Sequence, residues 1–422
     1  MTIPVTTSTD AADVLRRCSE LDRFSASPTH LERTYLTPEH AAANRATAGW
    51  MQEAGLRTWV DAAGNQYGRR EGTTPGLPAL LLGSHLDTVP DAGSYDGMLG
   101  VLMAIAVAER LRDVDLPFAL EVVGFSDEEG TRFDKALLGS QAAAGTWDPA
   151  WWGLRDQAGV TLRQAFLDFG LDPRRVGEAA RRPEELVGYL EAHIEQGPLL
   201  EAADRSLGYV TAIAGARRFR LTVHGEARHA GGTPYDRRKD ALVGASEAIV
   251  VIERLARASS CIATVGRIEV RPGAVNVIAG QADFTLDLRA ATDPERDAMW
   301  ARMEAEIVAL CDARGLRLSV EENHHAFAAP CAPWLQDAVR GGITATDASY
   351  PPGTEPMGLW SRAGHDAMAI AAVSDVGMLF VRCYDGISHH PGEDVREIDV
   401  ARGLDAFESA VLEVARVVRE RA

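Results

Sequence analysis

The stretch ALLLGSHLDTVPDAGSYDGMLGVLMAIAVAERLRDVDLPFALEVVGFSDEE, residues Ala79–Glu129, decides the fold class. Its opening ALLLGS (Ala79–Ser84) is a short apolar run bounded by Pro78 and a polar turn, as expected of a strand buried on both faces. Gly97 to Arg112 reads as a mostly apolar helix, and ALEVVGFS (Ala119–Ser126) as the next buried strand. Strands alternating with helices imply an α/β domain, a mixed, largely parallel sheet with helices on both faces. Such sheets place ligands beyond the carboxyl ends of their strands, so the residues just after each strand become the candidates for chemistry.

Further along, the rhythm changes between about Ala214 and His325. Phe219–Gly225 alternates as a strand, and Asp236–Ala258 carries a helical period. Cys261–Val270 and Gln281–Ala290 read as two strands, Asp293–Arg314 as a second helix and Leu316–Val320 as a last strand. The order β-α-β-β-α-β is that of the ferredoxin-like unit. Helix–strand alternation resumes after about Ala328. The expected organisation is a larger domain in two pieces, 1–213 and 328–422, interrupted by a smaller inserted domain, 214–327.

Length and composition support this division. The chain has 422 residues, 46% hydrophobic and 25% charged, enough for two domains with full cores and no staples. Sixty-one acidic against 43 basic residues give −18, which disfavours nucleic acid and anionic membrane surfaces as partners. The most apolar uncharged stretch, Met98 to Ala108, is too short to span a bilayer. The N-terminus lacks the basic and apolar regions of a secretory signal. Cys18, Cys261, Cys311, Cys331 and Cys383 are scattered, without a CxxC pair, which points away from a disulfide framework or a thiolate zinc site. A cytoplasmic location is expected.

Ionisable side chains gather at the strand ends. His85 and Asp87 follow ALLLGS, Asp96 opens the next helix, and Asp127, Glu128 and Glu129 follow ALEVVGFS. His193 and Glu195 follow the strand around Leu186–Ala192, and His389 and His390 come after the apolar run Val376–Val381. One histidine after a strand is usually a satisfied loop residue, and a run of acids is usually a solvated helix start. Imidazole and carboxylate repeated at successive strand ends instead point to a divalent metal site, suited to zinc, manganese or cobalt. A carboxylate bridging two ions would let the pair share a hydroxide nucleophile.

Five segments carry a more specific signal: SHLDTV (Ser84–Val89), YDGMLGV (Tyr95–Val101), SDEEGTRF (Ser126–Phe133), EAHIEQGP (Glu191–Pro198) and GISHHP (Gly386–Pro391). HAGGTPYDRRKDA (His229–Ala241), NVIAGQADFTLDLR (Asn276–Arg289) and SRAGHDA (Ser361–Ala367) add to them. Together they resemble the dinuclear amidohydrolase branch of the aminoacylase/carboxypeptidase superfamily. That branch holds N-carbamoyl-L-amino acid hydrolases, β-ureidopropionases and allantoate or ureidoglycolate amidohydrolases. The resemblance spans nearly the whole chain.

The resemblance implies two divalent ions per subunit. Asp96 would bridge them, with His85 and His193 holding one, and Glu129 and His389 the other. Glu128 would be the general base, taking a proton from the attacking water and delivering it to the leaving nitrogen. Asp87 would orient the His85 imidazole. The inserted domain would serve for homodimerisation and as a lid, with His229 reaching the partner subunit's site to stabilise the developing oxyanion. Arg289 would bind the substrate carboxylate with its planar fork, helped by Gln196, Asn276 and a backbone group near Gly364.

Several positions depart from the family pattern. The lid motif usually reads HAGTTPM, where this chain has Gly232 and Tyr235. The pocket motif usually reads SGAGHDA, where Arg362 stands in place of the first Gly, a candidate for a second acidic group on the substrate. Ala279 replaces the Pro that usually follows NVI. The doublet His389-His390 leaves two candidates for one ligand, of which the residue directly after Ser388 fits the pattern. His324-His325 and His224 lie on strands of the insert and are assigned to surface, interface or packing.

The expected activity is metal-dependent hydrolysis of a linear C–N bond outside a peptide. An N-carbamoyl amino acid would give the amino acid, carbon dioxide and ammonia. Allantoate or ureidoglycolate hydrolysis, and aminoacylase or dipeptidase activity, are the alternatives on the same site. A non-enzymatic scaffold of this fold would have lost a ligand or the base, and here every one of them stands in place.

Overall fold

The computed structural model describes residues 8–421. Its strands are β1 (Arg57–Val60), β2 (Gln66–Arg70), β3 (Ala79–His85), β4 (Ala119–Phe125), β5 (Leu186–Ile194), β6 (Leu207–Ile213) and β7 (Gly215–His224). They continue with β8 (Ile262–Thr264), β9 (Ile268–Arg271), β10 (Gln281–Ala290), β11 (Arg317–Ala326), β12 (Ala329–Pro330), β13 (Gly358–Ser361) and β14 (Val376–Val381). The chain divides into two compact units. The first comprises the chain up to Thr211, Cys331–Leu359 and Ala363 onwards; the second comprises Ala212–Pro330 with Trp360–Arg362.

In the first unit the sheet runs β1-β2-β4-β3-β5-β14-β6. Its four central strands, β4, β3, β5 and β14, are mutually parallel, and the flanking pairs are antiparallel. Every residue of β3, β4 and β14 is buried, as befits strands covered on both sides. Leu80, Leu82, Leu120, Val122, Leu190, Ala192, Ile194, Leu379 and Val381 recur at every second position and join one core with the helix Met98–Arg110. That helix has almost no polar face because it lies against the sheet and under the helix Glu397–Arg421. With the even positions of β5 in the core, Glu191 and His193 project from its other face.

A fully buried cation steadies the entry to this unit. Arg33 donates through Nε to Leu86 O at 2.7 Å and through Nη1 to Leu21 O at 2.8 Å and Phe24 O at 3.0 Å. The residue is 0% exposed, so each of these charge-assisted bonds offsets desolvation. His40, in the helix Pro38–Glu53, is buried as the uncharged imidazole. Its Nδ1 accepts the Leu36 amide at 3.1 Å, its ring stacks on Phe169 at 5.0 Å, and burial pushes its pKa from 6.5 down to about 4.

Below pH 6.5 the unfolded chain therefore takes up a proton that the folded chain refuses until about pH 4. The stability tied to this group is fully present above the first value and is lost as pH falls toward the second, about 3 kcal/mol at the limit. Thermal melting at pH 7 and pH 5 is expected to show a larger loss in the wild type than in His40→Gln. Equal losses would exclude His40 as the cause.

The second unit has sheet order β11-β7-β10-β8, with β9 also paired to β10, all antiparallel. This is the ferredoxin-like order, with the helices Ala241–Arg257 and Asp293–Ala313 closing a core of Phe219, Leu221, Ala248, Ile252, Phe284, Leu286, Trp300 and Ile307. Three local expectations are corrected. The strand expected over Cys261–Val270 is two, β8 and β9, because Val265-Gly266-Arg267 leaves the ladder and only Arg267 O is used, by Thr285 N. The helix starts at Ala241, where Asp240 caps Leu242 and Val243, and not at Asp236. The last strand extends to Ala326, well beyond Val320, paired to β7 with one irregularity between Glu322 and His324. No helix among the described residues is long and apolar enough to cross a membrane.

Candidate metal centre

β3, β4, β5 and β14 are parallel neighbours, so their carboxyl ends open on one edge of the first unit's sheet. His85 is the last residue of β3 and His193 the last but one of β5, each slightly inside the strand rather than after it. Asp127, Glu128 and Glu129 follow β4 in a turn that does not start a helix. Asp96 precedes the helix Met98–Arg110, and His389 lies in the loop after β14.

Asp96 stands at the centre of the cluster. Its Oδ1 lies 3.2 Å from His193 Nε2 and 3.5 Å from His85 Nε2, while its Oδ2 lies 3.1 Å from His389 Nε2. His389 Nε2 is also 3.2 Å from Glu129 Oε1. One carboxylate thus turns one oxygen toward each of two ligand groups, His85–Asp96–His193 and Asp96–Glu129–His389. His390 takes no part; its Nδ1 accepts the Gly392 amide. Gly97 makes the approach possible, since a Cβ there would fall 2.4 Å from the His85 ring and its φ of 74° is left-handed.

The donor chemistry suits divalent cations. His85 Nδ1 lies 3.0 Å from Asp87 O and His193 Nδ1 2.9 Å from Ile194 O. Those carbonyls hold the protons on Nδ1 and leave both Nε2 lone pairs facing Asp96. His193 Nε2 is buried and, despite its 3.2 Å approach, makes no hydrogen bond of acceptable geometry. Burial works to raise the Asp96 carboxyl, yet His193, His389 and His85 more than offset it and hold it well below the usual range. Asp96 and Glu129 push His389 up to about 11.

Glu128 stands at the edge of this cluster, grouped with His85 and Glu129. Burial, then the neighbouring Glu129, raises its carboxyl well above the usual range. A Cβ on Gly364 would lie 3.4 Å from Glu128 Oε1, so residue 364 borders the same space. Asp87 differs from its expected form. Its carbonyl is the nearer partner of His85, with Oδ1 at 3.4 Å, and its carboxylate accepts the amides of Glu128 at 2.9 Å and Glu129 at 3.1 Å. Gln196, at a φ of 53°, donates through Nε2 to Asp96 Oδ2 at 2.7 Å.

His229, Asn276 and Arg289 belong to the second unit. His229 is exposed, and its Nδ1 accepts the amides of Gly231 at 3.2 Å and Gly232 at 2.9 Å, which puts the neutral ring's proton on Nε2. Arg289, on β10, donates to Asp287 at 2.8 Å and to Arg362 O at 2.7 Å. Asn276 is exposed and accepts the Ala230 amide through its carbonyl. Arg362 lies over the Trp360 ring at 5.6 Å, and Tyr235 is 86% exposed.

Sequence reasoning passed over several groups around the centre. Ser388 Oγ lies 2.6 Å from Asp96 Oδ2, and Glu393 lies behind it. Glu191 accepts from Ser84 Oγ at 2.7 Å, and His365 packs edge-on against His193 at 4.5 Å. The available signal was position, since Glu191 and His365 lie inside quoted motifs and Glu393 four residues past His389.

Comparison with known proteins gives a consistent set of likenesses. The model of peptidase family M20/M25/M40 matches residues 81–413. The chain is 40% identical to an allantoate deiminase of Arabidopsis thaliana, covering 94% of this chain and 81% of that protein. It is 38% identical to an N-carbamoyl-L-amino acid amidohydrolase of Geobacillus stearothermophilus, covering 95% and 98%. A hydantoinase/carbamoylase family amidase of Burkholderia multivorans superposes with a TM-score of 0.87 at 32% identity, covering 96% and 98%.

Proposed function

The chain belongs to peptidase family M20/M25/M40 as a hydrolase of its amidohydrolases, and from that premise we propose that it hydrolyses the ureido C–N bond of an N-carbamoyl amino acid on two divalent ions. The products are the amino acid, carbon dioxide and ammonia. The observation that carries this reading is Asp96, one oxygen toward His85 and His193 and the other toward His389. His85, Asp96, His193, Glu129 and His389 would hold two ions, zinc, manganese or cobalt, which would supply Lewis-acid polarisation and a more acidic attacking water.

The chain's own residues do the rest. Glu128 takes the proton of the attacking water and passes it to the leaving nitrogen, and Gly364 keeps side chains out of its way. Asp87 holds the Glu128 and Glu129 amides, and so sets base and ligand together. Arg289 is the proposed partner of the substrate carboxylate, and Gln196, Asn276 and the backbone at Gly364 are the further proposed substrate contacts. His229, with its proton on Nε2, donates to the developing oxyanion of the partner subunit's site in a homodimer built on the inserted unit. A reducing, cytoplasmic setting fits five cysteines that are all buried and unpaired.

A second reading, hydrolysis of allantoate, is favoured by the plant relative at 40% identity. Both substrates present a linear ureido group beside a carboxylate, so a single assay separates them. Enzyme stripped by chelator and reloaded with Mn²⁺, Co²⁺ or Zn²⁺ is offered N-carbamoyl α-amino acids, N-carbamoyl-β-alanine, allantoate and ureidoglycolate, with ammonia as readout. N-acetyl amino acids and dipeptides are scored by free amine. The expected result is metal-dependent ammonia release from N-carbamoyl α-amino acids. Release from allantoate alone selects the second reading, and turnover of acyl amino acids or dipeptides alone overturns both.

A further inference from the structure

Glu393 is 5% exposed and has no part in the roles above. Its Oε1 accepts two consecutive amides, Tyr95 N at 2.8 Å and Asp96 N at 3.0 Å. Ser388 Oγ lies between the two acids, 2.9 Å from Glu393 Oε2 and 2.6 Å from Asp96 Oδ2, with one proton to give to either. The Glu393 amide donates to His390 O at 3.0 Å. Gly93 leaves room for this grip, since a Cβ there would fall 2.3 Å from Glu393 Cβ. One carboxylate therefore ties the Gly93–Asp96 turn to the loop carrying Ser388 and His389, segments almost 300 positions apart in the chain.

We infer that Glu393 is a positioning residue that sets the Asp96–Glu129–His389 position of the metal centre. The inference deepens the two-ion reading of the preceding section and rests on it. Asp96 Oδ1 faces His85 and His193, which are held by their own strands and by carbonyls on Nδ1. Asp96 Oδ2 faces His389, which no strand holds and whose φ is 55°. The link from Glu393 through Ser388 runs to Oδ2. Losing the link leaves Oδ2 with the Gln196 amide as its remaining donor and loosens the His389 loop, while the His85–His193 pair stays in place. Partners behind a ligand typically account for about 10–100-fold in metal affinity.

The test is a metal titration of chelator-stripped protein with Zn²⁺ or Mn²⁺ against a competing chelator, with stoichiometry by elemental analysis and folding checked by thermal melting. Wild type is expected to bind two ions per subunit. Glu393→Ala is expected to keep one at wild-type affinity and to weaken the other by about 10–100-fold, with turnover recovering as metal concentration rises. Glu393→Gln keeps an oxygen for the two amides and is expected to restore affinity to within a few-fold. A purely structural role would lower the melting point and weaken both positions alike, and that result overturns the inference.

Two ions at unchanged affinity in Glu393→Ala overturn the inference alone. Fewer than two ions in the wild type overturn the two-ion reading and this inference with it. If Glu393→Ala does not fold, Ser388→Ala reads the same link, because it removes only the hydroxyl between Glu393 and Asp96. It is expected to weaken the second ion selectively, and unchanged affinity for that ion overturns the inference.

Discussion

Replacing Glu128 with Gln is expected to lower kcat by about 10²–10⁴-fold while both ions stay bound. The side chain keeps its size and its place between the Asp87-held amide and Gly364, so what is lost is the ability to take and return a proton. A ligand substitution would remove metal; this one should leave the metal content of the purified protein at the wild-type level. Near-normal turnover would exclude Glu128 as base, and loss of an ion would make it a ligand. The same variant tests the second unit. Subunits carrying Glu128→Gln and subunits carrying His229→Ala are each expected to be inactive alone. Their mixture should regain activity if each heterodimer contains one site with both groups intact. Absence of recovery after demonstrated subunit exchange would place His229 outside a shared site.

Asp96→Ala should have the broader effect. Because its two oxygens face different ligand groups, no other single side chain in the cluster serves both. Both affinities should fall by more than the roughly 10–100-fold that follows loss of a partner behind a ligand, and turnover should become undetectable. Three imidazoles would then remain with fewer carboxylates around them, so raised metal concentration should restore little. Retention of one ion at wild-type affinity would assign Asp96 to a single position and end the bridging reading.

The parallel centre of the sheet was legible because buried strands and their crossover helices leave unbroken apolar runs, as in Ala79–His85 and Met98–Arg110. The strand-end rule points to His85, Asp87, Asp96, Asp127, Glu128, Glu129, His193, Glu195, His389 and His390 alike, and only the resemblance singles out ligands and base among them. What stayed hidden was carried by contacts distant in sequence. Arg33 reaches Leu86, and Glu393 reaches Tyr95 and Asp96 through backbone groups, which have no residue-type signature. Asp87 was visible as an acid two residues past His85, but its grip on the amides of Glu128 and Glu129 follows from β3 and β4 lying side by side. The second half of β11, Glu321–His325, was hidden for another reason. It is an exposed edge strand paired on one side only, so it needs no apolar alternation to form.

The position of β14 has a consequence for how the molecule is made. It is the last strand in the chain, yet it lies in the sheet between β5 and β6, parallel to one and antiparallel to the other. A growing polypeptide that has completed residues 1–330 still lacks this strand and exposes the unpaired edges of β5 and β6. Such edges are templates for aggregation, and late pairing of distant strands is slow. On the ribosome the second unit can close on its own strands, β7 to β11, while the first must wait for residues 376–381. His389 follows that strand, so the Asp96–Glu129–His389 group can assemble only after residues 376–389 have been made.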